Sequence, residues 1–203
     1  MSVAANAPFL EIAPPGFDVL WDVRYARPDN FLGRPIYRRA AVYLHVDAAQ
    51  RLSTAIAAAA VRGLRLLIFD GFRPLEAQRV MFEAFPDPRF VSDPDTPRGG
   101  AGLAHPRGVA VDLTLADAAG RPLDMGTDFD AMVAASAHDS PAVGEAAGAN
   151  RALLRQIMEM AGWRAYRAEW WHYQLPEAGR YTVHGDAALS EPLSLMPAGS
   201  GGR

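Results

Sequence analysis

The sequence predicts an α+β fold built as a single domain. Helical and strand patterns are mixed along the chain without a regular β-α-β alternation, which favours α+β over a doubly wound fold. The length of 203 residues suits one domain, or at most two. With 50% hydrophobic and 21% charged residues, the composition is that of an ordinary globular protein. We assign residues 1–190 to the domain and expect residues 191–203, EPLSLMPAGSGGR, to form a flexible C-terminal tail.

The first half of the chain contains two predicted helices around a predicted strand. The alanine-rich segment 47–62 predicts a helix that Asp47 can cap. Residues 65–70, RLLIFD, are a short apolar run that predicts a buried strand. A second helix is expected over 74–85, PLEAQRVMFEAF, because proline is tolerated in a first helical turn. The stretch 86–102 is rich in Pro, Asp and Gly and predicts a long loop, and such loops tend to carry function.

The second half of the chain contributes a strand, a helix and two aromatic segments. Residues 109–115, VAVDLTL, alternate as a strand does, and the alternation places Asp112 on the face with the small residues. Residues 150–161 predict a helix that Asn150 can cap and that has one apolar side. The segments 163–166, WRAY, and 170–175, WWHYQL, predict strands because aromatic residues favour them.

Composition excludes several classes of protein. A formal charge of −3 gives no basic surface for nucleic acid, and without cysteine there is neither a disulfide framework nor a thiolate metal site. No run of about 18 apolar residues predicts a membrane span. The first 17 residues lack the basic and apolar regions of a secretory signal. We therefore expect a cytoplasmic location by default, although the lack of cysteine suits a periplasmic protein equally well, and the sequence leaves the oligomeric state open.

The stretch AHPRGVAVDLTL offers two metal ligands. His105 precedes a turn in which Gly108 lets the chain reverse sharply, and Asp112 lies in the strand that follows. Such a turn would bring His105 over the start of the strand and close to Asp112. The alternative interpretation is a surface histidine and a strand aspartate with its own hydrogen-bond partner.

The most aromatic segment, RAEWWHYQLP, contains Glu169 and His172. A buried ionisable group costs several kcal/mol unless it is paired or bound to a metal. Side chains three residues apart on a strand face opposite ways, so these two converge only if Glu169 precedes the strand or lies on a bulge. The alternative is a core histidine bonded to a nearby glutamate.

Taken together, these residues predict a zinc site. His105, Asp112 and His172 form the three-ligand set that catalytic zinc uses when it keeps a fourth position for water. Glu169 is then the spare carboxylate that can take a proton from that water. The neighbouring aromatic residues Trp170, Trp171 and Tyr173 would keep bulk water out and strengthen every charge interaction in the site.

Arg73, within the motif DGFRP, is a candidate for stabilising negative charge. A cation at the end of the predicted strand can stabilise the oxyanion that forms when water attacks a carbonyl. The alternatives are a salt bridge between Arg73 and Asp70 or a solvated arginine.

Five blocks of sequence together resemble a known family. WDVRYARPDNFLG, FDGFRP, HPRGVAVDLTL, MGTDFD and EWWHY occur in the order found in D-alanyl-D-alanine dipeptidases, the VanX-like branch of the zinc D,D-peptidases. The resemblance runs from about Trp21 to Leu175. It implies an antiparallel sheet that carries the zinc, flanked by helices. It also implies hydrolysis of the small dipeptide D-Ala-D-Ala to two D-Ala by a zinc-bound water that a glutamate activates.

The resemblance also implies roles for individual residues. One zinc ion per chain would be held by His105, Asp112 and His172. Glu169 resembles the general base that later acts as the acid to the leaving amine, and Arg73 resembles the arginine that stabilises the tetrahedral intermediate. Tyr25 and Asp130 lie at positions that resemble those at which the family holds the free ammonium of the substrate.

One residue departs from the family pattern. The pattern SxHxxGxAxD begins with serine, whereas this chain has Leu103 at that position. Zinc binding should survive because Leu103 is not a ligand, but we expect the pocket to accept a larger or different residue at the second position of the substrate. His138 lies near a family histidine and receives no role.

Two alternative functions remain open at this stage. A carboxypeptidase or endopeptidase acting on longer cell-wall peptides is disfavoured by Asp130 and Tyr25, because a longer chain has no ammonium at that point. A non-catalytic zinc-binding module is disfavoured by Glu169 and Arg73, since a binding module needs neither a base nor an oxyanion cation.

Overall fold

The computed structural model describes residues 8–96 and 102–195. Two sheets and three helices make up its regular structure. In chain order these elements are β1 (Phe9–Glu11), β2 (Val19–Trp21), β3 (Tyr43–His45), α1 (Val46–Ala60), β4 (Arg65–Asp70), α2 (Leu75–Ala84), β5 (Ala110–Ala116), α3 (Glu145–Met160), β6 (Arg164–Ala165) and β7 (His172–Gln174).

The predicted α+β class is confirmed, with one addition to the sheet. The main sheet has the order β2-β4-β5-β7-β6, and β1 and β3 form a separate antiparallel pair. The part formed by β4, β5, β7 and β6 is antiparallel, whereas β2 at the edge runs parallel to β4. The parallel pairing is possible because the long connection from β2 to β4 contains α1. The sheet is therefore mixed, and its antiparallel part lies at the centre.

Strand β5 is the centre of the domain. All seven of its residues are buried, and it pairs with β4 on one side and β7 on the other. Helix α1 packs against β4 and α3, and α3 packs against β5. Burial of apolar surface on both faces of this strand contributes to the stability of the fold, at roughly 25 cal/mol per Å².

Some element boundaries differ from the prediction. Helix α1 begins one residue early because His45, and not Asp47, caps it: Nδ1 of His45 accepts a hydrogen bond from the Asp47 N–H at 3.2 Å. Helix α3 begins at Glu145, and Asn150 is not its cap but donates from its side chain to the Asp124 carbonyl at 2.8 Å. A polar residue that can cap a helix is equally able to anchor a neighbouring loop.

The two aromatic segments form shorter strands than predicted. Only Arg164–Ala165 and His172–Gln174 pair in the sheet, because a turn separates them. In that turn the Glu169 N–H donates to the Tyr166 carbonyl at 3.2 Å. Within the predicted loop 86–102, the described residues 86–96 form neither helix nor strand, and residues 97–101 lie outside the described part.

The start of the predicted tail is packed. The carboxylate of Asp186 accepts hydrogen bonds from the backbone N–H groups of Leu193, at 2.7 Å, and Ser194, at 2.9 Å. Ser194 also forms a β-bridge with Tyr37. Packing contacts therefore extend past the predicted boundary at residue 191, and residues 196–203 lie outside the described part. In the two described ranges, no helix is both long and apolar enough to cross a membrane.

Asp186 should be important for stability. Replacing it in Asp186→Ala leaves buried N–H donors without a partner, at about 1–3 kcal/mol each. We expect the free energy of unfolding, measured by urea denaturation, to fall by about 2–4 kcal/mol. The control is Asp18→Ala, since Asp18 is largely exposed and its pair with Arg65 is worth about 0–1 kcal/mol. Equal losses in the two variants would contradict the anchoring role of Asp186.

Candidate active site

A tight turn places His105 over the start of β5. His105 begins the short 3-10 helix His105–Arg107, and Gly108 follows with a φ of 68° in the left-handed region. A Cβ atom at Gly108 would clash with the ring of Phe9. Glycine is therefore required both by the backbone conformation and by the close approach of Phe9.

The register of the sheet brings the other two candidate ligands together. Asp112 of β5 pairs directly with His172 of β7, and on its other side it lies opposite Asp70 of β4. Nδ1 of His172 is 3.0 Å from Oδ1 of Asp112, and Nε2 of His105 is 3.3 Å from Oδ2 of Asp112. The two ring nitrogens are 3.1 Å apart. All three residues are buried, and their donor atoms lie within 4.8 Å of one another.

Hydrogen bonds behind the rings indicate which nitrogens carry hydrogen. Nδ1 of His105 is 2.7 Å from the Gly71 carbonyl, which can only accept, so Nε2 of a neutral ring is bare. Nε2 of His172 faces Oε1 of Gln174 at 3.3 Å, and donation there leaves Nδ1 of His172 bare. Three lone pairs, two from nitrogen and one from the carboxylate, then converge on one point, an arrangement that a cation stabilises.

The charge states agree with a metal site. Burial lowers the pKa of His172, so its ring tends to be neutral, as a ligand must be. Burial opposes ionisation of Asp112, but His105 and His172 outweigh it and hold the pKa of that carboxyl well below its usual range. Two histidines and a carboxylate without any thiolate fit a catalytic zinc ion.

Glu169 reaches the site because it precedes β7. The His172 N–H donates to the Glu169 carbonyl at 3.3 Å, which closes the turn and allows side chains three residues apart to face one pocket. Glu169 and His172 could converge only if Glu169 lay outside the regular strand, because side chains three residues apart on a strand face opposite ways. Burial raises the pKa of Glu169 well above its usual value, and the charges of Asp112 and Asp130 add to the effect. Glu169 is thus a basic carboxylate in a region of low dielectric constant.

Arg73 is both paired and part of the pocket. Its Nε donates to Asp70 at 2.8 Å, its Nη1 donates to Gln78 at 3.1 Å, and its Nη2 lies 3.5 Å from Asp112. Burial opposes its charge, but Asp70 and other neighbouring groups hold the pKa of the guanidinium well above its usual value. The salt bridge considered as an alternative exists, and it fixes the arginine in the pocket.

Tyr25 and Asp130 form a pair at another side of the same pocket. The Tyr25 hydroxyl donates to Oδ2 of Asp130 at 2.7 Å. The backbone of Asp130 has a φ of 59°, a left-handed conformation that costs energy in residues other than glycine and that is found often at functional sites. Burial of its carboxyl raises the pKa of Asp130 to about 7, although the Tyr25 hydroxyl bond opposes the shift.

All the candidate site residues predicted from the sequence line one pocket. Its lining includes Tyr25, Arg73, His105, Asp112, Asp130, Glu169 and His172. The aromatic wall is smaller than predicted, because Trp171 alone of the three expected aromatic residues lines the pocket. Trp170 donates its ring N–H to Thr127, and Tyr173 packs on His138.

Sequence reasoning missed the residues that hold Arg73 and the histidines. From the sequence, Asp70 is only an alternative salt-bridge partner of Arg73, although its spacing of three residues from Arg73 indicates that the two side chains can meet. Gln78 carried no signal, because only the fold brings helix α2 against the site. Gln174 carried a signal, since it lies two residues after His172 and shares one face of a strand with it. Leu103 is buried, and Gly102 is the neighbour that lines the pocket.

Comparisons with known proteins match the chain to one family of peptidases. Residues 6–189 match the model of the peptidase family M15, described as D-Ala-D-Ala dipeptidase. The D-alanyl-D-alanine dipeptidase of Escherichia coli K12 is 41% identical over 169 residues, which cover 83% of this chain and 85% of that protein. The Enterococcus faecalis enzyme of that name is 35% identical, covering 77% and 86%, and the Streptomyces coelicolor one is 34% identical, covering 87% and 93%.

Metal binding should depend on the three converging side chains. After dialysis against zinc, the wild-type protein should hold about one ion per chain, and His172→Ala should lose most of it because catalytic zinc relies on three protein ligands. The control is His184→Ala, a half-buried histidine that does not line the pocket. Metal content is measured by mass spectrometry, and full occupancy in His172→Ala would exclude this site.

Proposed function

The chain belongs to the D-Ala-D-Ala dipeptidase family of metallopeptidases, and we propose that it hydrolyses the dipeptide D-Ala-D-Ala to two D-Ala with one zinc ion per chain. The observation that carries the proposal is a single pocket that combines a His₂-carboxylate donor set, a buried basic carboxylate and a fixed guanidinium. Each of these groups serves a different need of amide hydrolysis.

His105, Asp112 and His172 would hold the zinc. When bound, zinc would act as a Lewis acid on the scissile carbonyl. It would also lower the pKa of the attacking water, so that this water loses a proton more readily at neutral pH. The chain itself contributes the orientation of the ligands. The Gly71 carbonyl fixes the ring of His105, and β5–β7 pairing fixes Asp112 against His172.

Glu169 moves the protons. Its raised pKa makes it a better proton acceptor than an exposed glutamate, so it can take a proton from the attacking water. The same raised pKa lets the protonated acid deliver that proton to the nitrogen of the leaving amine. One residue can therefore serve as base and then as acid.

Arg73 stabilises the negative charge that develops on the carbonyl oxygen. Its ion pair with Asp70 and its bond to Gln78 hold the guanidinium in place before the substrate arrives. A preorganised cation costs little reorganisation during the reaction, which is why such groups contribute strongly to catalysis.

Asp130 and Tyr25 would select a substrate with a free ammonium group. An ammonium ion beside the Asp130 carboxylate offsets the unfavourable burial that raises its pKa to about 7. In a dipeptide the ammonium lies only a few bonds from the scissile carbonyl, so the pocket can contact both. This pairing supports a dipeptidase over a carboxypeptidase or endopeptidase on longer cell-wall peptides. Glu169 and Arg73 support an enzyme over a non-catalytic zinc-binding module.

The first functional prediction concerns proton transfer. Glu169→Gln keeps the shape of the side chain but cannot accept a proton, so kcat should fall by roughly 10²- to 10⁴-fold. Zinc content should remain that of the wild type. The control is Glu177→Gln, an exposed residue for which no change in rate is expected. If Glu169→Gln hydrolyses D-Ala-D-Ala at a near-normal rate, the assignment of the base is wrong.

The second functional prediction concerns substrate length. N-acetyl-D-Ala-D-Ala should be a very poor substrate, because it offers Asp130 no positive charge and adds bulk. Asp130→Asn should reduce kcat/KM for the free dipeptide by at least about 30-fold, the equivalent of ~2 kcal/mol for a lost charge pair. The control is Asp128→Asn, an exposed neighbour.

The decisive comparison is the rate with free and N-acetylated dipeptide in one wild-type preparation. Comparable rates would indicate a carboxypeptidase-like enzyme that is open on its N-terminal side, and they would leave the zinc site unaffected.

A further inference from the structure

Gln174 lies directly behind the candidate ligand His172. Both residues belong to β7, and because they are two positions apart they share one face of the strand. Oε1 of Gln174 is 3.3 Å from Nε2 of His172, and both side chains are buried. The other ring nitrogen, Nδ1, faces Oδ1 of Asp112 at 3.0 Å.

The position of one hydrogen decides whether His172 can bind a metal. A neutral imidazole carries its hydrogen on one nitrogen only. If Nε2 carries the hydrogen, it donates to Gln174, and Nδ1 presents a lone pair beside Asp112 and His105. If Nδ1 carries it, the hydrogen points at Asp112 and occupies the direction of the metal.

In the metal-free protein, Asp112 and Gln174 favour opposite tautomers of His172. The carboxylate of Asp112 accepts a hydrogen bond and so favours the hydrogen on Nδ1. Oε1 of Gln174 favours it on Nε2, which is the form that binds metal. A partner behind a metal-binding histidine fixes the tautomer and raises the basicity of the ligand, and its loss typically costs 10- to 100-fold in metal affinity.

We propose that Gln174 is a positioning residue for the metal: it holds the hydrogen of His172 on Nε2 and thereby presents Nδ1 to zinc. The proposal rests on the proposed function in one respect, namely that zinc occupies this site. A carboxylate at this position would accept only, and it would favour the metal-binding tautomer more strongly.

The test compares three variants by zinc affinity, measured by competition with a chromogenic chelator. Gln174→Leu removes the acceptor and should weaken zinc binding roughly 10- to 100-fold. Gln174→Glu should bind zinc at least as tightly as the wild type. The matched control is Gln50→Leu, the same substitution at an exposed position of α1, which should leave affinity unchanged.

A second measurement reports which ring nitrogen of His172 carries the hydrogen. The ¹⁵N chemical shifts of His172 in the zinc-free proteins should indicate more of the Nε2–H tautomer in Gln174→Glu and more of the Nδ1–H tautomer in Gln174→Leu. Loss of packing alone would not produce these opposite shifts.

The outcomes separate this inference from the proposed function. A wild-type protein that binds no zinc would overturn the proposed function itself. If the wild type binds zinc and all Gln174 variants match it within about twofold, well below the usual effect of such partners, the positioning role is wrong. Equal weakening in Gln174→Leu and Gln174→Glu would also overturn it, because packing would then explain the loss.

Discussion

The structure depends on the convergence of three electron-pair donors at one buried point. Nε2 of His105, Nδ1 of His172 and the carboxylate of Asp112 lie 3.0–3.3 Å apart, and their lone pairs repel one another unless a proton or a metal ion lies between them. The sheet order β4-β5-β7 and the turn at Gly108 hold these three groups at the centre of the fold. The arrangement is costly to bury unless a metal occupies it.

The same constraint explains the charges around the site. The pocket and its immediate support contain the carboxyl groups of Asp70, Asp112, Asp130 and Glu169 near the guanidinium of Arg73. Burial, together with this crowding of like charge, raises the pKa values of Asp70, Asp130 and Glu169. A divalent cation and a substrate ammonium would both reduce the imbalance. Under the proposed function, these unfavourable electrostatics would favour the binding of a metal ion and of a charged N-terminus.

Sequence reasoning could identify the groups that bear chemistry but not the groups that orient them. Two motifs indicate the metal ligands and the general base: the stretch around His105 and Asp112, and EWWHY. Histidine, aspartate and glutamate are rarely placed in apolar surroundings unless they bind a metal or take part in chemistry. The offset that lets Glu169 face the pocket followed from strand geometry alone. In contrast, Gln78 and the edge strand β2 depend on which segments become neighbours, and a three-residue strand has too little periodicity to be recognised. The packed residues after Asp186 were missed for the same reason.

Anomalous diffraction at the zinc edge from crystals of the zinc-loaded protein tests the central claim most directly. One strong peak should lie about 2.0–2.2 Å from Nε2 of His105, Nδ1 of His172 and an oxygen of Asp112. Glu169 should stand beside this peak without being a ligand. A peak elsewhere, or one bound through Nε2 of His172, would contradict the account.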